Sequence, residues 1–287
     1  MAGLGPAIHV FLLFLYMQED VDARIESAHD IVGNNAMSPL IDISGVAKTY
    51  GSGTLALSNV STRIERGSFV SLVGPSGCGK STLLRMIAGL IEPSSGTIAW
   101  PQTENARPKD IGFVFQDATL MPWARVLDNV YLPLKLKGLS LKEAEPRIMD
   151  ALARVGLADF AQSFPRELSG GMKMRVSIAR ALVTEPPVLL MDEPFAALDE
   201  FTREKLDDDL LDLWASQKWT VIFVTHSVYE SVYLSERILV MGARPGRILK
   251  DIAVDVPYPR GRPFRESPDF IARCAEVSAA LGEGMKR

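Results

Sequence analysis

Apolar and polar residues along positions 40–281 form blocks that predict alternating strands and helices. Short apolar runs bounded by glycine, proline or charge are typical of buried strands, and apolar residues three and four positions apart predict amphipathic helices. The predicted strands are 40–50, 55–64, 68–73, 97–100, 111–116, 188–193, 220–225, 237–241 and 247–254. The predicted helices are 80–90, 141–155, 169–183, 200–217, 228–234 and 270–281, within a region 117–184 that is helical throughout. This alternation indicates an α/β fold.

A glycine-rich stretch between the third strand and the first helix carries the first candidate chemistry. Lys80 would reach the β- and γ-phosphates of a nucleotide, and the Ser81 hydroxyl would ligate Mg²⁺. The glycines would let backbone N–H groups approach the phosphates, and the helix N-terminus would add a favourable dipole. A glycine-rich turn with a surface lysine is the alternative, which the flanking strand and helix disfavour. The stretch matches the phosphate-binding pattern G-x-x-x-x-G-K-[ST] with Gly74, Pro75, Ser76, Gly77, Cys78, Gly79, Lys80, Ser81 and Thr82.

Polar side chains end or follow three predicted strands, at the edge where ligands bind in α/β folds. The amide of Gln116 would reach Mg²⁺ or an attacking water. Asp192 would hold Mg²⁺ through water, and Glu193 would polarise the attacking water. His226 would contact the γ-phosphate. Taken singly, Gln116 and His226 are better explained as ordinary strand-end residues, but the pattern that they share with Asp192 favours a site.

Two further stretches would complete a nucleotide site. Ser169, Gly170 and Gly171 open a predicted helix, and a serine N-cap before two glycines presents free N–H groups at a positive helix end. Two phosphate-binding helix ends in one chain suggest that two chains share each nucleotide, with ordinary helix capping as the alternative. Tyr50 ends the first strand, where an exposed ring would stack on adenine; a plain strand-end tyrosine explains it equally well.

The composition excludes several classes of protein. Apolar residues make up 47% and charged residues 23% of the 287 positions, which fits a globular chain. The formal net charge of -4 matches the excess of acidic residues in 1–36, so the remainder is balanced and gives no sign of nucleic-acid binding. Two cysteines, Cys78 and Cys274, fit a reducing compartment without disulfides or a metal cluster. Cys78 is better explained as a small loop residue than as a reactive thiol.

Residues 1–37 differ from the rest and are predicted to be an N-terminal extension. The apolar run 8–17 is too short to span a bilayer, and no basic residue precedes it as in a signal peptide. Residues 18–36 are polar and acidic, without a clear period. We expect either a disordered extension or a wrongly assigned start codon, with translation beginning at Met37. A membrane-surface anchor is the remaining alternative.

The phosphate loop, Leu-Ser-Gly-Gly, the Asp-Glu strand end and the strand-end histidine occur in an order that resembles the ATP-binding-cassette (ABC) ATPases over residues 40–255. Leu-Ser-Gly-Gly is highly specific, because other P-loop ATPases lack it. The resemblance implies an α/β P-loop NTPase with a RecA-like core, an antiparallel β subdomain and an α-helical subdomain at about 117–184. The ABC ATPase domain would span 38–258. Residues 259–287 would form a C-terminal segment and helix, and we expect the Pro/Arg-rich part 257–268 at the surface.

The resemblance also implies roles for the motif residues. Tyr50 would be the adenine-stacking aromatic and Gln116 the Q-loop glutamine. Asp192 would be the Walker B acid, Glu193 the catalytic base and His226 the switch histidine.

The implied cofactors are ATP and Mg²⁺, and the implied assembly is a homodimer that holds two of each head to tail. Ser169, Gly170 and Gly171 would contact the γ-phosphate bound by the opposite subunit. Asp199 would be the D-loop acid, and Lys80 would stabilise the charge that develops on the phosphate.

A narrower resemblance, in 113–133, 168–182 and 241–248, is to ATPase subunits of bacterial importers for nitrate, sulfonate, taurine and related small solutes. It implies two integral membrane permease subunits and a periplasmic or extracellular solute-binding protein. The chain would be peripheral, at the cytoplasmic face of the membrane. The permease-docking surface would consist of Met121, Pro122 and Trp123. Packing of these residues inside the helical subdomain is an equal alternative.

Four positions depart from the family pattern. Met172 and Met174 each stand where glutamine is frequent, and Ser227 stands where aspartate is frequent. Ala196 stands where serine or glycine is common. None removes a group that hydrolysis requires, so they bear on rate and coupling.

Three rival functions belong to other classes. A soluble ABC ATPase acting on nucleic acid or ribosomes would usually carry two cassettes or long coiled-coil insertions, which are missing from this sequence. The resemblance of the segment 116–133 to importers disfavours an exporter ATPase. The intact Lys80, Glu193 and His226 disfavour a catalytically dead cassette.

Overall fold

The computed structural model describes residues 39–101, 111–217, 219–242 and 244–285, so the predicted extension 1–37 lies outside the described residues. The described strands are β1 Ile41–Thr49, β2 Leu55–Ile64, β3 Phe69–Val73, β4 Ser95–Ala99, β5 Ile111–Val114, β6 Val188–Asp192, β7 Thr220–Thr225, β8 Arg237–Met241 and β9 Ile248–Ala253. The described α-helices are α1 Lys80–Ala88, α2 Val126–Leu136, α3 Leu141–Arg154, α4 Gly170–Leu182, α5 Glu200–Gln217, α6 Val228–Leu234, α7 Arg262–Arg265 and α8 Pro268–Met285.

The strands form two sheets. The larger has the order β5-β6-β7-β3-β8-β9, and its pairs are parallel except for β8 with β9. The smaller is antiparallel, with the order β2-β1-β4. The parallel strands β3, β6 and β7 are buried along their whole length, which explains their predominantly apolar sequences. The RecA-like core and the antiparallel β subdomain are therefore confirmed.

The core lies on both faces of the large sheet. Successive residues of β6 point to opposite faces, so Leu189 and Met191 join one apolar cluster, and Val188 and Leu190 join the other. The first cluster includes the helices α2, α3 and α4, which lie within the region predicted as the helical subdomain. The second includes α1 and the small sheet. The larger sheet is therefore held rigidly between two layers.

The Pro/Arg-rich segment 257–268 lies largely at the surface as predicted, but one of its arginines does not. Residues 257–268 were expected at the surface because they are rich in proline and arginine, but Arg260 is only 7% exposed. Its guanidinium lies over the Tyr258 ring, 4.2 Å from the ring centre, and that ring packs against Trp214. The five N–H groups of the guanidinium, one of them shared between two acceptors, bond to the backbone carbonyls of Val232, Tyr233, Ser235, Val254 and Val256. The surface prediction is therefore wrong for Arg260 alone, because this residue satisfies acceptors from the end of α6 and from the chain after β9.

We expect Arg260→Ala to lower the free energy of unfolding by about 3 kcal/mol or more, because several buried carbonyls would lose a charged donor together. The measurement is urea unfolding followed by circular dichroism. Arg262→Ala is the matched control, since Arg262 is exposed and pairs with Glu266 one turn away; we expect a change within about 0.5 kcal/mol. Equal effects of the two substitutions would contradict the role assigned to Arg260.

Candidate functional site

The carboxyl ends of β3, β5, β6 and β7 meet at one edge of the large sheet, and a cleft of about 510 Å³ opens there. The residues predicted to follow these strand ends converge on the cleft, as the parallel topology requires. Gln116 lies two residues beyond β5, which ends at Val114 rather than at the glutamine as predicted. The cleft is lined by Gly74, Pro75, Ser76, Gln116, Glu193, Ala196, His226 and Leu281.

Lys80 is buried at the N-terminus of α1, beneath the glycine-rich loop. Its Nζ donates to the carbonyl oxygens of Gly74 at 2.7 Å and Pro75 at 3.2 Å, and lies 3.7 Å from a carboxylate oxygen of Glu193. Gly79 has a φ of 94°, and a Cβ there would stand 3.0 Å from the carbonyl oxygen of Ala56, so the loop needs glycine at this position. The ammonium group of Lys80 is thus held against the backbone of the glycine-rich loop.

Cys78 in the same loop is buried, and burial raises the pKa of its thiol despite the charge of Lys80. A raised pKa favours the unreactive thiol over the thiolate. This agrees with the interpretation of Cys78 as a small structural residue.

Ser81 and Asp192 form a pair of oxygen donors beside the loop. The Ser81 hydroxyl donates to Asp192 Oδ1 at 2.7 Å. Burial raises the pKa of Asp192, and the hydroxyl bond and the charge of Arg85 oppose that rise. Hydroxyl and carboxylate oxygens are donors that suit Mg²⁺, and Mg²⁺ needs only one or two protein ligands when it also binds phosphates. The pair therefore fits the predicted ion, although the described residues hold no cluster of three metal-binding side chains.

Glu193 occupies an unusual backbone conformation at the end of β6. Its φ is 49°, in the left-handed region that non-glycine residues seldom adopt. Its N–H donates to Val224 O at 2.9 Å, and its carboxylate lies 3.2 Å from His226 Nδ1. Such backbone strain persists where surrounding contacts enforce it and is frequent at functional sites. The conformation places the Glu193 carboxylate between Lys80 and His226.

Ser169 and Gly170 do not line this cleft; they lie exposed at the N-terminus of α4. Ser169 caps the helix by accepting the N–H of Met172 at 3.3 Å, as predicted. Gly171 is buried, and a Cβ there would lie 2.7 Å from the Thr202 methyl group. Within one chain, the two predicted phosphate-binding helix ends are therefore separate sites.

The remaining predicted residues lie around the site. The Tyr50 hydroxyl is 3.2 Å from Thr82 Oγ1, and its ring is 39% exposed. Asp199 is exposed and accepts the N–H of Thr202 at 3.0 Å, so it caps α5. That bond lowers the pKa of Asp199. Both residues are available at the surface, as their predicted roles require.

The predicted docking residues differ among themselves. Trp123 is 63% exposed and Pro122 is also exposed, so packing inside the helical subdomain does not account for either. Met121 is partly buried, and its backbone is held by Asn129, which accepts its N–H at 2.7 Å. Arg180 on α4 donates to the carbonyl oxygens of Ala118 and Thr119. These two buried side chains hold the loop that presents Trp123.

Two residues at the site were not predicted to belong to it. Leu281 of α8 lines the cleft, although nothing in a predicted C-terminal helix shows where its end lies. Arg244 is exposed. It lies beside the phosphate loop, since a Cβ on Gly77 would be 3.2 Å from the Arg244 Nη2. Both come from regions distant in sequence from the phosphate loop.

Comparison with known proteins assigns the family. A family model described as ABC transporter matches residues 57–196. The aliphatic sulfonates import ATP-binding protein SsuB of Bacillus cereus is 45% identical over 226 residues, which cover 77% of this chain and 89% of that protein. The chain belongs to the ABC transporter family. The nitrate import ATP-binding protein NrtD of Synechocystis is 43% identical over 249 residues, which cover 84% of this chain and 94% of that protein.

A solved structure of an ABC cassette agrees with this assignment. The dimeric post-hydrolysis state of the ATP-binding cassette MJ0796, bound to ADP and Pi, has a TM-score of 0.66 and 36% identity and covers 76% of this chain and all of that one. The resemblance to ABC ATPases and the P-loop NTPase fold are therefore confirmed. Among the described helices, none is long and apolar enough to cross a membrane.

Proposed function

We propose that this ABC protein is the ATP-binding subunit of an importer and hydrolyses ATP to drive uptake of a small solute through a separate permease. The observation that carries the ATPase part is the meeting of Lys80, Glu193 and His226 in one cleft, beside the Ser81–Asp192 pair. The importer part is supported by similarity to the sulfonate and nitrate import proteins. The nitrate, sulfonate or taurine class of solute is likewise an inference from those relatives.

In the proposed reaction, the glycine-rich loop and Lys80 bind the β- and γ-phosphates. Glu193 accepts a proton from the attacking water, whose oxygen bonds to the γ-phosphorus in line as the bond to the β-phosphate oxygen breaks and ADP leaves. His226, only 3.2 Å from Glu193, orients that carboxylate and donates to the γ-phosphate. Gln116 lines the same cleft and completes the contacts to water and metal.

Ser81 would bind Mg²⁺ directly and Asp192 through water, with Gln116 nearby. When bound, the ion neutralises charge on the phosphate oxygens. Asp192 accepts a hydrogen bond from the Ser81 hydroxyl and so fixes the orientation of that hydroxyl. Tyr50 would stack on the adenine at the rim of the site, where its ring is accessible.

The exposed Leu-Ser-Gly-Gly helix end supports a head-to-tail homodimer. Ser169 and Gly170 lie outside the cleft of their own chain, so they are free to contact a γ-phosphate bound by a second copy. Asp199, exposed between Glu193 and α5, would face the same interface. The similar cassette MJ0796 is described as dimeric with ADP and Pi, which supports the same assembly here.

The test of transport coupling is a tagged pull-down from detergent-solubilised native membranes. We expect two copies of a polytopic permease with two copies of this chain, with a periplasmic or extracellular solute-binding protein as their further partner. The chain itself would be peripheral, at the cytoplasmic face. Recovery of ribosomal or nucleic-acid proteins instead would favour the soluble ABC ATPase class, and a permease that moves solute outward would favour an exporter.

Trp123→Ala is expected to reduce permease recovery at least about tenfold, because a central exposed tryptophan is a typical interface hot spot. ATP binding should be unchanged, since the residue lies outside the nucleotide cleft. Ile271→Ala is the matched control, since Ile271 on α8 is 64% exposed against 63% for Trp123. Full recovery with Trp123→Ala would rule out the docking surface of Met121, Pro122 and Trp123.

A further inference from the structure

Arg203, on the first turn of α5, joins three parts of the site without lining the cleft. Its Nη2 donates to Leu198 O at 2.8 Å, and its Nε donates to Phe195 O at 3.3 Å. The same Nε lies 3.4 Å from Glu230 Oε1 on α6. One guanidinium therefore connects the loop 194–199 to the helix that follows His226.

Glu230 also contacts the end of β7. The Thr225 hydroxyl donates to Glu230 Oε2, and the same hydroxyl oxygen accepts the N–H of Ser227 at 2.9 Å. Thr225 and Ser227 flank His226 directly. The Thr225 hydroxyl thus bridges the two residues that flank His226, and the Glu230 carboxylate holds that hydroxyl in place.

The loop side of the connection begins at Glu193. The N–H of Ala196 donates to Glu193 O at 3.2 Å, and the N–H of Leu198 donates to Phe195 O at 3.1 Å. Arg203 binds two carbonyls of this turn, at Phe195 and Leu198. The guanidinium therefore holds the loop between the proposed base and the exposed Asp199.

Glu230 is buried enough to be sensitive to the loss of Arg203. Glu230 is only 6% exposed, and burial raises its pKa, which the Thr225 hydroxyl and the Arg203 charge oppose. Removing Arg203 would leave a buried carboxylate without its cation, and such groups reorganise or take up a proton.

We propose that Arg203 and Glu230 are positioning residues for ATP hydrolysis, whose ion pair sets the loop 194–199 and His226 in a fixed relation around Glu193. This inference rests on the proposed ATPase function. Neither side chain lines the cleft, so their removal should affect the reaction step more than nucleotide binding. Misplacing a catalytic group by a fraction of an ångström to one ångström is enough to slow a reaction by an order of magnitude or more.

The experiment compares Arg203→Met, Glu230→Gln and the double variant, in the full chain, by steady-state ATPase kinetics and by binding of a fluorescent ATP analogue. We expect each single variant to lower kcat by about tenfold with nucleotide affinity within about twofold, a split that indicates loss of an interaction effective in the reaction step. The double variant should be no slower than the worse single variant, because the two residues act through one interaction. Arg203→Lys, which keeps the charge, should recover part of the rate and also serves if Arg203→Met does not fold.

Arg265→Met is the matched control for general loosening of α5. Arg265 donates to Asp208 Oδ1 at 3.0 Å and to Glu204 O at 3.3 Å, so it also anchors α5, but from the C-terminal segment. We expect it to lower the melting temperature and leave kcat near the wild-type value below that temperature. Glu230→Gln retains an acceptor for Thr225 and tests the charge alone.

Unchanged kcat in Arg203→Met and Glu230→Gln, with an active wild type, would overturn the inference and leave the proposed function intact. An equal loss of kcat in Arg265→Met, or additive losses in the double variant, would also overturn it, because the effect would then be general destabilisation. A folded wild-type chain that binds ATP without hydrolysing it would overturn the proposed ATPase and the inference together.

Discussion

Replacing Glu193 with glutamine is expected to lower the kcat for ATP hydrolysis by about 10²- to 10⁴-fold, the usual contribution of a general base. Glutamine has the same shape but cannot accept a proton from water at neutral pH. The carboxylate lies 3.7 Å from Lys80 Nζ and 3.2 Å from His226 Nδ1, so it occupies the centre of the proposed reaction site. ATP binding should persist, because the phosphate loop and Lys80 are unaltered.

The measurement is single-turnover hydrolysis of ATP, together with binding of a fluorescent ATP analogue. Glu266→Gln is a suitable control, since it also neutralises a carboxylate but at an exposed position on the C-terminal segment. Turnover near the wild-type rate in Glu193→Gln would remove Glu193 as the base. Loss of binding would instead indicate that the change disturbs the phosphate loop through Lys80.

The site was predictable from sequence where local pattern and topology coincide. Gly74, Asp192 and His226 each stand at the end of a mainly apolar run, and parallel strands bring such ends together whatever the rest of the fold. The helix-capping role of Ser169 followed from its neighbours alone. For these residues, short-range pattern carried the necessary information.

Other features depend on contacts between distant segments, which local pattern does not encode. Arg260 stands in a stretch whose composition is typical of a solvated surface, but its acceptors come from 232–235 and 254–256. The left-handed backbone of Glu193 arises from contacts with β7 and the following loop. Leu281 reaches the cleft only because α8 packs along β8 and β9.

Gly170→Asp is expected to lower kcat by at least about 10²-fold, comparable to losing a donor that stabilises transition-state charge. Gly170 is exposed, and a Cβ there would lie 3.5 Å from Leu198 Cδ2, an ordinary contact. A carboxylate in the first turn of α4 also interacts favourably with the helix dipole. The folded chain should therefore tolerate the change and bind ATP, while the shared site would set a negative charge against the partner's γ-phosphate.

The measurements are ATPase rate, ATP binding, and ATP-dependent dimerisation by light scattering. Gly170→Ala is the matched control and should retain most of the rate, because it adds the Cβ without the charge. A Gly170→Asp variant with near-normal turnover would place the whole reaction within one chain and remove the homodimer from the proposed mechanism.

Mixing two inactive variants separates a shared site from a site within one chain. In a dimer of a Gly170→Asp chain with a Glu193→Gln chain, both defects fall on one of the two shared sites, and the other combines an intact Glu193 with an intact Gly170. Recovery of hydrolysis above that of either variant alone would require that the exposed end of α4 acts on the nucleotide of the opposite copy. If each chain used its own Gly170, every site in the mixture would keep one defect, so no recovery would result. The separation of Ser169 and Gly170 from their own cleft favours the shared arrangement.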